Sequence, residues 1–81
     1  MSAVRGRDDK GLLQEYTQAN GLELPAYEII RESGPPHARQ FEAVVKVLGE
    51  TVGTGEGGTK KAAEQAAARG ALQHYQESRG V

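Results

Sequence analysis

The chain has 81 residues, enough for one small domain and too few for two, with no cysteine to supply disulfides or thiolate metal ligands. Its formal net charge is −1 and its pI is near 6.1, which argues against a uniformly basic nucleic-acid binder, so any anion site must gather positive charge locally. No apolar run approaches the roughly 20 residues of a membrane span, and the charged start, Met1 to Lys10, lacks the apolar stretch of a signal peptide.

Residues 1–8 read as a flexible lead-in or a linker from an upstream segment, and the domain proper is expected over residues 9–76. The absence of cysteine fits a cytoplasmic protein.

The first helix is predicted from about Asp9 to Ala19, with Asp8 or Asp9 as N-cap and Gly21 as the glycine beyond its C-terminus. Leu13, Tyr16 and Thr17 fall on one face, with Leu12 at its edge. Gly11, Gln14, Glu15 and Gln18 form a second stripe, polar and free of lysine and arginine.

Pro25 ends the following loop, and Tyr27 to Ser33 reads as a strand. Gly34, Pro35, Pro36 and His37 make a rigid turn, because two prolines fix φ and cannot donate to a ladder. In Gln40 to Leu48, Phe41, Ala43, Val45 and Val47 alternate with Glu42, Val44 and Lys46, the pattern of a half-buried strand. Gly49 and Glu50 are read as a tight reversal, and Thr51 to Gly55 as a short third strand. The short connections favour an antiparallel meander.

Gly55, Glu56, Gly57 and Gly58 read as a flexible hinge, after which Thr59 caps a helix to about Gln76. Residues 77–81 read as a frayed tail. Ala63, Ala67 and Ala71 form a small-residue stripe that lets this helix lie close on the sheet, flanked by Ala68, Leu72 and Tyr75. Gly70 within it costs about 1 kcal/mol against alanine. The order predicts an α+β domain, α-β-β-β-α, with a three-stranded antiparallel sheet and both helices on one face.

The glycine-rich segment mimics two nucleotide motifs. Gly53, Gly55 and Gly58 match a lone G-x-G-x-x-G, but the βαβ context of a dinucleotide site is missing. A Walker A loop places lysine before threonine, whereas here Thr59 precedes Lys60. What remains is a glycine-rich backbone approach and a helix N-terminus carrying Lys60 and Lys61, a natural phosphate site. Cations there oppose the helix dipole, so stability alone would not select them. His37 and His74 stand without ligand spacing or cysteine, and the carboxylates are scattered. No catalytic group, metal site or cofactor is expected.

Taken together, LLQEYTQ (Leu12 to Gln18), LPAYEI (Leu24 to Ile29), SGPPHARQF (Ser33 to Phe41) and GTGEGGTKKAAEQAAARGAL (Gly53 to Leu72) resemble the double-stranded RNA-binding domain. The version most similar lies at the C-terminus of bacterial ribonuclease III. The resemblance spans about Asp9 to Tyr75. It implies a contact surface in three parts. Gln14, Glu15 and Gln18 of the first helix would enter one minor groove, and Gly34, Pro35, Pro36 and His37 the next. Lys60 and Lys61 would meet the phosphates across the intervening major groove. Such a surface reads the A-form shape through 2′-hydroxyls and phosphates.

Many family members have a third lysine where Glu64 stands, although ribonuclease III versions often carry glutamate there. Gly11 replaces a larger polar residue. Both departures, with the near-neutral charge, imply weak binding by the isolated domain. The acidic nuclease motif of ribonuclease III is absent, so the chain as given is expected to cleave nothing. It would serve as the substrate-binding module beside an upstream nuclease domain and its dimer, with double-stranded RNA as partner and no membrane or small-molecule substrate. The alternative is a degenerate member used for protein contacts or dimerisation.

Overall fold

A computed structural model describes residues 8–79 of the chain; the lead-in from Met1 to Arg7 and the terminal Gly80 and Val81 lie outside the described residues. The element order is α1 (Asp9–Ala19), β1 (Ala26–Ser33), a turn of 3-10 helix (Pro36–Ala38), β2 (Gln40–Val47), β3 (Glu50–Gly57) and α2 (Lys60–Arg79). The strands form one antiparallel sheet in the order β1-β2-β3, as the short connections require.

Helix α1 has its expected bounds because both ends are chemically specified. Asp8 accepts from Gly11 N at 3.1 Å, and the backbone oxygen of Asp8 takes the first helical bond, from Leu12 N. At the other end Gly21 has φ +70°, Leu22 N bonds Thr17 O at 2.8 Å and Gly21 N bonds Gln18 O at 3.2 Å, a complete Schellman stop. Leu13 and Thr17 are fully buried, and the Tyr16 ring rests 4.7 Å from that of Tyr75 on α2.

The glycine segment departs from the sequence reading. Gly55, Glu56 and Gly57 are not a hinge but the end of β3, paired with Ala43, Glu42 and Phe41 of β2. Their alternation explains this. Gly53, Gly55 and Gly57 share the sheet face on which α2 lies, and a Cβ on any of them would strike α2. From Gly53 it would fall 2.2 Å from Ala67 O, from Gly55 2.3 Å from Ala67 N, and from Gly57 2.7 Å from the Ala62 methyl. These glycines admit a helix, not a ligand. On the helix side Ala63, Ala67 and Ala71 are fully buried, and a Cβ on Gly70 would sit 3.3 Å from Thr54 O. The core between the layers is correspondingly slender. Leu13, Ala43, Val45, Val47 and Val52 pack on the alanine stripe, with Tyr27, Ile29, Phe41 and Leu72 at its margin.

Two bulges adjust the sheet, one between Ile29 and Arg31 and one opposite Val45 and Lys46. The first leaves Ile30 half exposed. The β2–β3 reversal is at Leu48 and Gly49, with Glu50 already in β3, one residue earlier than the sequence suggested. Both turn residues have positive φ, +55° and +79°. That is a primed hairpin turn, normally given to Asn-Gly. Helix α2 continues through Glu77 and Ser78 to Arg79, past the Gln76 expected from the pattern.

Two stability measurements check this account. Gly55→Ala forces α2 off the sheet and should cost about 1–3 kcal/mol, lowering Tm by about 4–8 °C for each. Leu48→Asn relieves a bulky residue in the left-handed region and should raise stability by on the order of 1 kcal/mol in urea denaturation.

Candidate nucleic-acid interface

The register of the sheet gathers two of the candidate segments. Ser33 pairs with Gln40, and Phe41 pairs with Gly57, so the β1–β2 loop and the start of α2 share one end of the sheet. Arg39 O lies 4.0 Å from where a Cβ on Gly58 would be. Helix α1 begins against the second turn of α2, since Asp9 N donates to Gln65 Oε1 at 2.8 Å. With Tyr16 stacked on Tyr75, the two helices run in the same direction.

All nine candidate residues are exposed. Gln14, Glu15 and Gln18 face away from buried Leu13 and Thr17, and their side chains take no partner among the described residues. Gln14 follows Lys10 by one helical turn and Gln18 by two, so this stripe leads from the start of α1 along its exposed side.

The loop is shaped by its glycine. Gly34 has φ +88°, and a Cβ there would fall 2.6 Å from Ala38 O. Pro36, His37 and Ala38 complete one 3-10 turn, closed by Ala38 N to Pro35 O at 2.9 Å. Pro35, Pro36 and His37 are thus offered on a short stiff protrusion.

At the start of α2, Thr59 Oγ1 accepts from Ala62 N at 3.0 Å, the expected cap. The backbone N–H groups of Lys60 and Lys61 are left without an acceptor among the described residues. Their ammonium groups are in no ion pair there either, nor is Arg69. The other lysines and arginines whose side chains are described are engaged: Lys10 with Glu64, Arg31 with Glu42, Arg39 with Glu32 and Lys46 with Glu28. On the sheet face away from the helices, the cations Arg31 and Lys46 are therefore already paired with carboxylates. Among the described residues no cluster of three or more His, Asp or Glu side chains could hold a metal ion. Nor is any helix among the described residues long and apolar enough to cross a membrane.

Two residues that fix the start of α1 were not singled out in the sequence. Lys10 falls inside the expected helix, and its spacing to Gln14 and Gln18 was the available signal. Its ammonium sits 2.6 Å from Glu64 Oε1 and 4.7 Å from the centre of the Tyr27 ring. Gln65 gave no signal, because its partners are 55 and 56 positions away. Beneath Lys10, the Tyr27 hydroxyl is buried with no hydrogen-bond partner among the described residues. Burial, then the nearby carboxylates of Glu64, Asp8 and Asp9, push its pKa up to about 12. Asp8 moves the other way: the Gly11 N–H and the Gln65 amide hold its carboxyl below its ordinary value.

Tyr27 carries a pH signature. Its neutral form is the one the fold accepts, so its contribution is complete below pH 10 and fades as pH rises toward 12. Tyr27→Phe should leave stability at pH 7 unchanged or higher, since an unmet hydroxyl is removed. Thermal melts from pH 9 to 12 should show a shallower alkaline decline than the parent, with Tyr75, whose pKa burial also raises, supplying part of what remains.

The comparisons agree on what this arrangement is. A family model described as "Double-stranded RNA binding motif" matches residues 10–75. Ribonuclease 3 of Phenylobacterium zucineum is 49% identical over 65 residues, and that of Thermobifida fusca is 52% identical over 66; these cover 80% and 82% of this chain. The chain spans only 27% of the length of either enzyme. Among solved structures, Arabidopsis HYL1 superposes with a TM-score of 0.74 at 38% identity, covering 86% of this chain and 99% of that one. A human tRNA-dihydrouridine(20) synthase dsRBD superposes at 0.72 with 28% identity, covering 89% and 73%. The chain belongs to the double-stranded RNA-binding domain family and is a module that binds double-stranded RNA.

Proposed function

We propose that this domain recognises the A-form shape of an RNA duplex with three segments, and that it is the substrate-binding module of a ribonuclease III-like enzyme. The observation that carries the reading is the state of the cations. Carboxylates within the fold neutralise Lys10, Arg31, Arg39 and Lys46, while among the described residues Lys60, Lys61 and Arg69 are in no ion pair, and the two lysines stand over two free N–H groups. A net charge of −1 is compatible with phosphate binding when the negative charge is tied up elsewhere.

In this reading Lys60 and Lys61 meet phosphates that line the major groove, which in A-form RNA is too deep and narrow for side chains to read. The uncharged amides of Gln14 and Gln18 suit 2′-hydroxyls and base edges in the wide minor groove, because an amide both donates and accepts. Glu15 beside them can accept from a 2′-hydroxyl. The Pro35–His37 protrusion enters the next minor groove, its prolines keeping it stiff. Identity at 49% to an enzyme of which this chain matches 27% supports a module that presents duplex to a nuclease domain in the same polypeptide.

Titration with RNA and DNA duplexes of about 20 base pairs, long enough to span two grooves, tests the reading. RNA should bind more tightly, and Lys60→Ala with Lys61→Ala should remove at least about tenfold in affinity and about two units of the salt slope. The melting temperature of that variant should be unchanged or slightly raised, as two cations leave a helix N-terminus. Equal affinity for RNA and DNA would refute shape reading. A tight dimer that ignores RNA would instead favour a protein-contact role.

A further inference from the structure

The start of α1 is capped from two directions. Asp8 satisfies the N–H groups of Gly11 and Leu12 from within the helix. The N–H groups of Asp9 and Lys10, at 2.8 and 3.2 Å, both donate to Gln65 Oε1 of α2. Gln65 Nε2 then donates to Asp8 Oδ1 at 3.2 Å, and Glu64 Oε1 takes the Lys10 ammonium at 2.6 Å. A helix that caps itself can shift or tilt on its neighbour without losing its cap. This one cannot, because half of its cap belongs to α2.

Glu64 and Gln65 stand one helical turn after Lys60 and Lys61, so the turn that grips α1 is next to the turn that offers the lysines. Glu64 is puzzling on charge alone. A carboxylate so near a phosphate site should weaken attraction, and a Coulomb argument has its removal tightening RNA binding. We propose the reverse: Glu64 and Gln65 are positioning residues that lock the first turn of α1 to the lysine-bearing turn of α2, holding the Gln14 and Gln18 stripe at a fixed spacing from Lys60 and Lys61.

Rigidity of this kind matters only when both segments engage one duplex. Binding to two features at once gains from a fixed spacing, because no orientation has to be frozen on contact. Binding to one feature gains nothing from it. The clamp therefore makes a prediction about duplex length that a charge effect does not, and it rests on the duplex-reading function proposed above.

The test uses the 81-residue chain, two RNA duplexes and three variants. A duplex of about 20 base pairs offers two minor grooves and the phosphates between them, and one of about 8 base pairs cannot. Glu64→Gln should bind the long duplex about three- to tenfold more weakly than the parent, while its affinity for the short duplex stays level or rises. Lys10→Glu should weaken long-duplex binding further. Adding Glu64→Lys to it restores the ion pair at unchanged net charge and should recover most of the parent affinity. Thermal melts of each variant report the fold. Tighter binding of Glu64→Gln to the long duplex, or equal losses on both lengths, would overturn the clamp. A swapped pair no better than Lys10→Glu would overturn it as well. A parent chain that binds long and short duplexes alike would remove the duplex-reading function itself, a result distinct from any variant effect.

Discussion

Helix α2 approaches β3 more closely than side chains would allow, and the rest of the molecule follows from that contact. Three glycines on one face of the strand leave its backbone bare, and alanines on the facing stripe of the helix keep theirs nearly so. With so little volume between the layers, the core needs only Leu13 and a few valines to be filled. The same contact decides where α2 begins. It can start only after Gly57 has left the sheet, and that residue lies beside the β1–β2 loop. Lys60 and Lys61 stand next to the Pro-Pro-His protrusion as a consequence of packing.

The electrostatic pattern is the second organising feature. Acidic residues slightly outnumber basic ones, 11 to 10, yet the surface is not uniform. Arg31 and Lys46 on the open sheet face are matched by Glu42 and Glu28, so that face presents no unpaired lysine or arginine among the described residues. Surface pairs of this kind add little stability, typically 0–1 kcal/mol. What they do here is remove competing charge. In the proposed reading, a phosphate approaching the molecule finds the unpaired lysines and open N–H groups of the α2 terminus, where the helix dipole adds to the attraction.

Much of the fold was legible along the chain, for reasons that can be named. The bounds of α1 could be read because Asp8 and Gly21 act on their immediate neighbours, and the Thr59 cap and the alternation of β2 are equally local. Gly55 to Gly57 were misread as a hinge because glycine reports conformational freedom and close approach with the same letter. Only the helix opposite tells the two apart. The reversal at Leu48 was missed because leucine rarely tolerates positive φ. Of the candidate site, Lys60 and Lys61 stood out by opposing the helix dipole. Gln14, Glu15 and Gln18 are ordinary surface residues until the resemblance gives them a role. Gln65 could not be seen at all, since a side chain capping another helix 56 positions away leaves no periodicity.

The central claim is that one side of the domain meets the duplex and the open sheet face does not. Backbone amide shifts of the labelled chain, followed as an RNA duplex of about 20 base pairs is added, measure this directly. The account predicts changes at Gln14, Gln18, Gly34, His37, Lys60 and Lys61, with Glu28, Val44 and Glu56 on the sheet face staying still. Movement confined to Lys60 and Lys61, or centred on the sheet face, would contradict it.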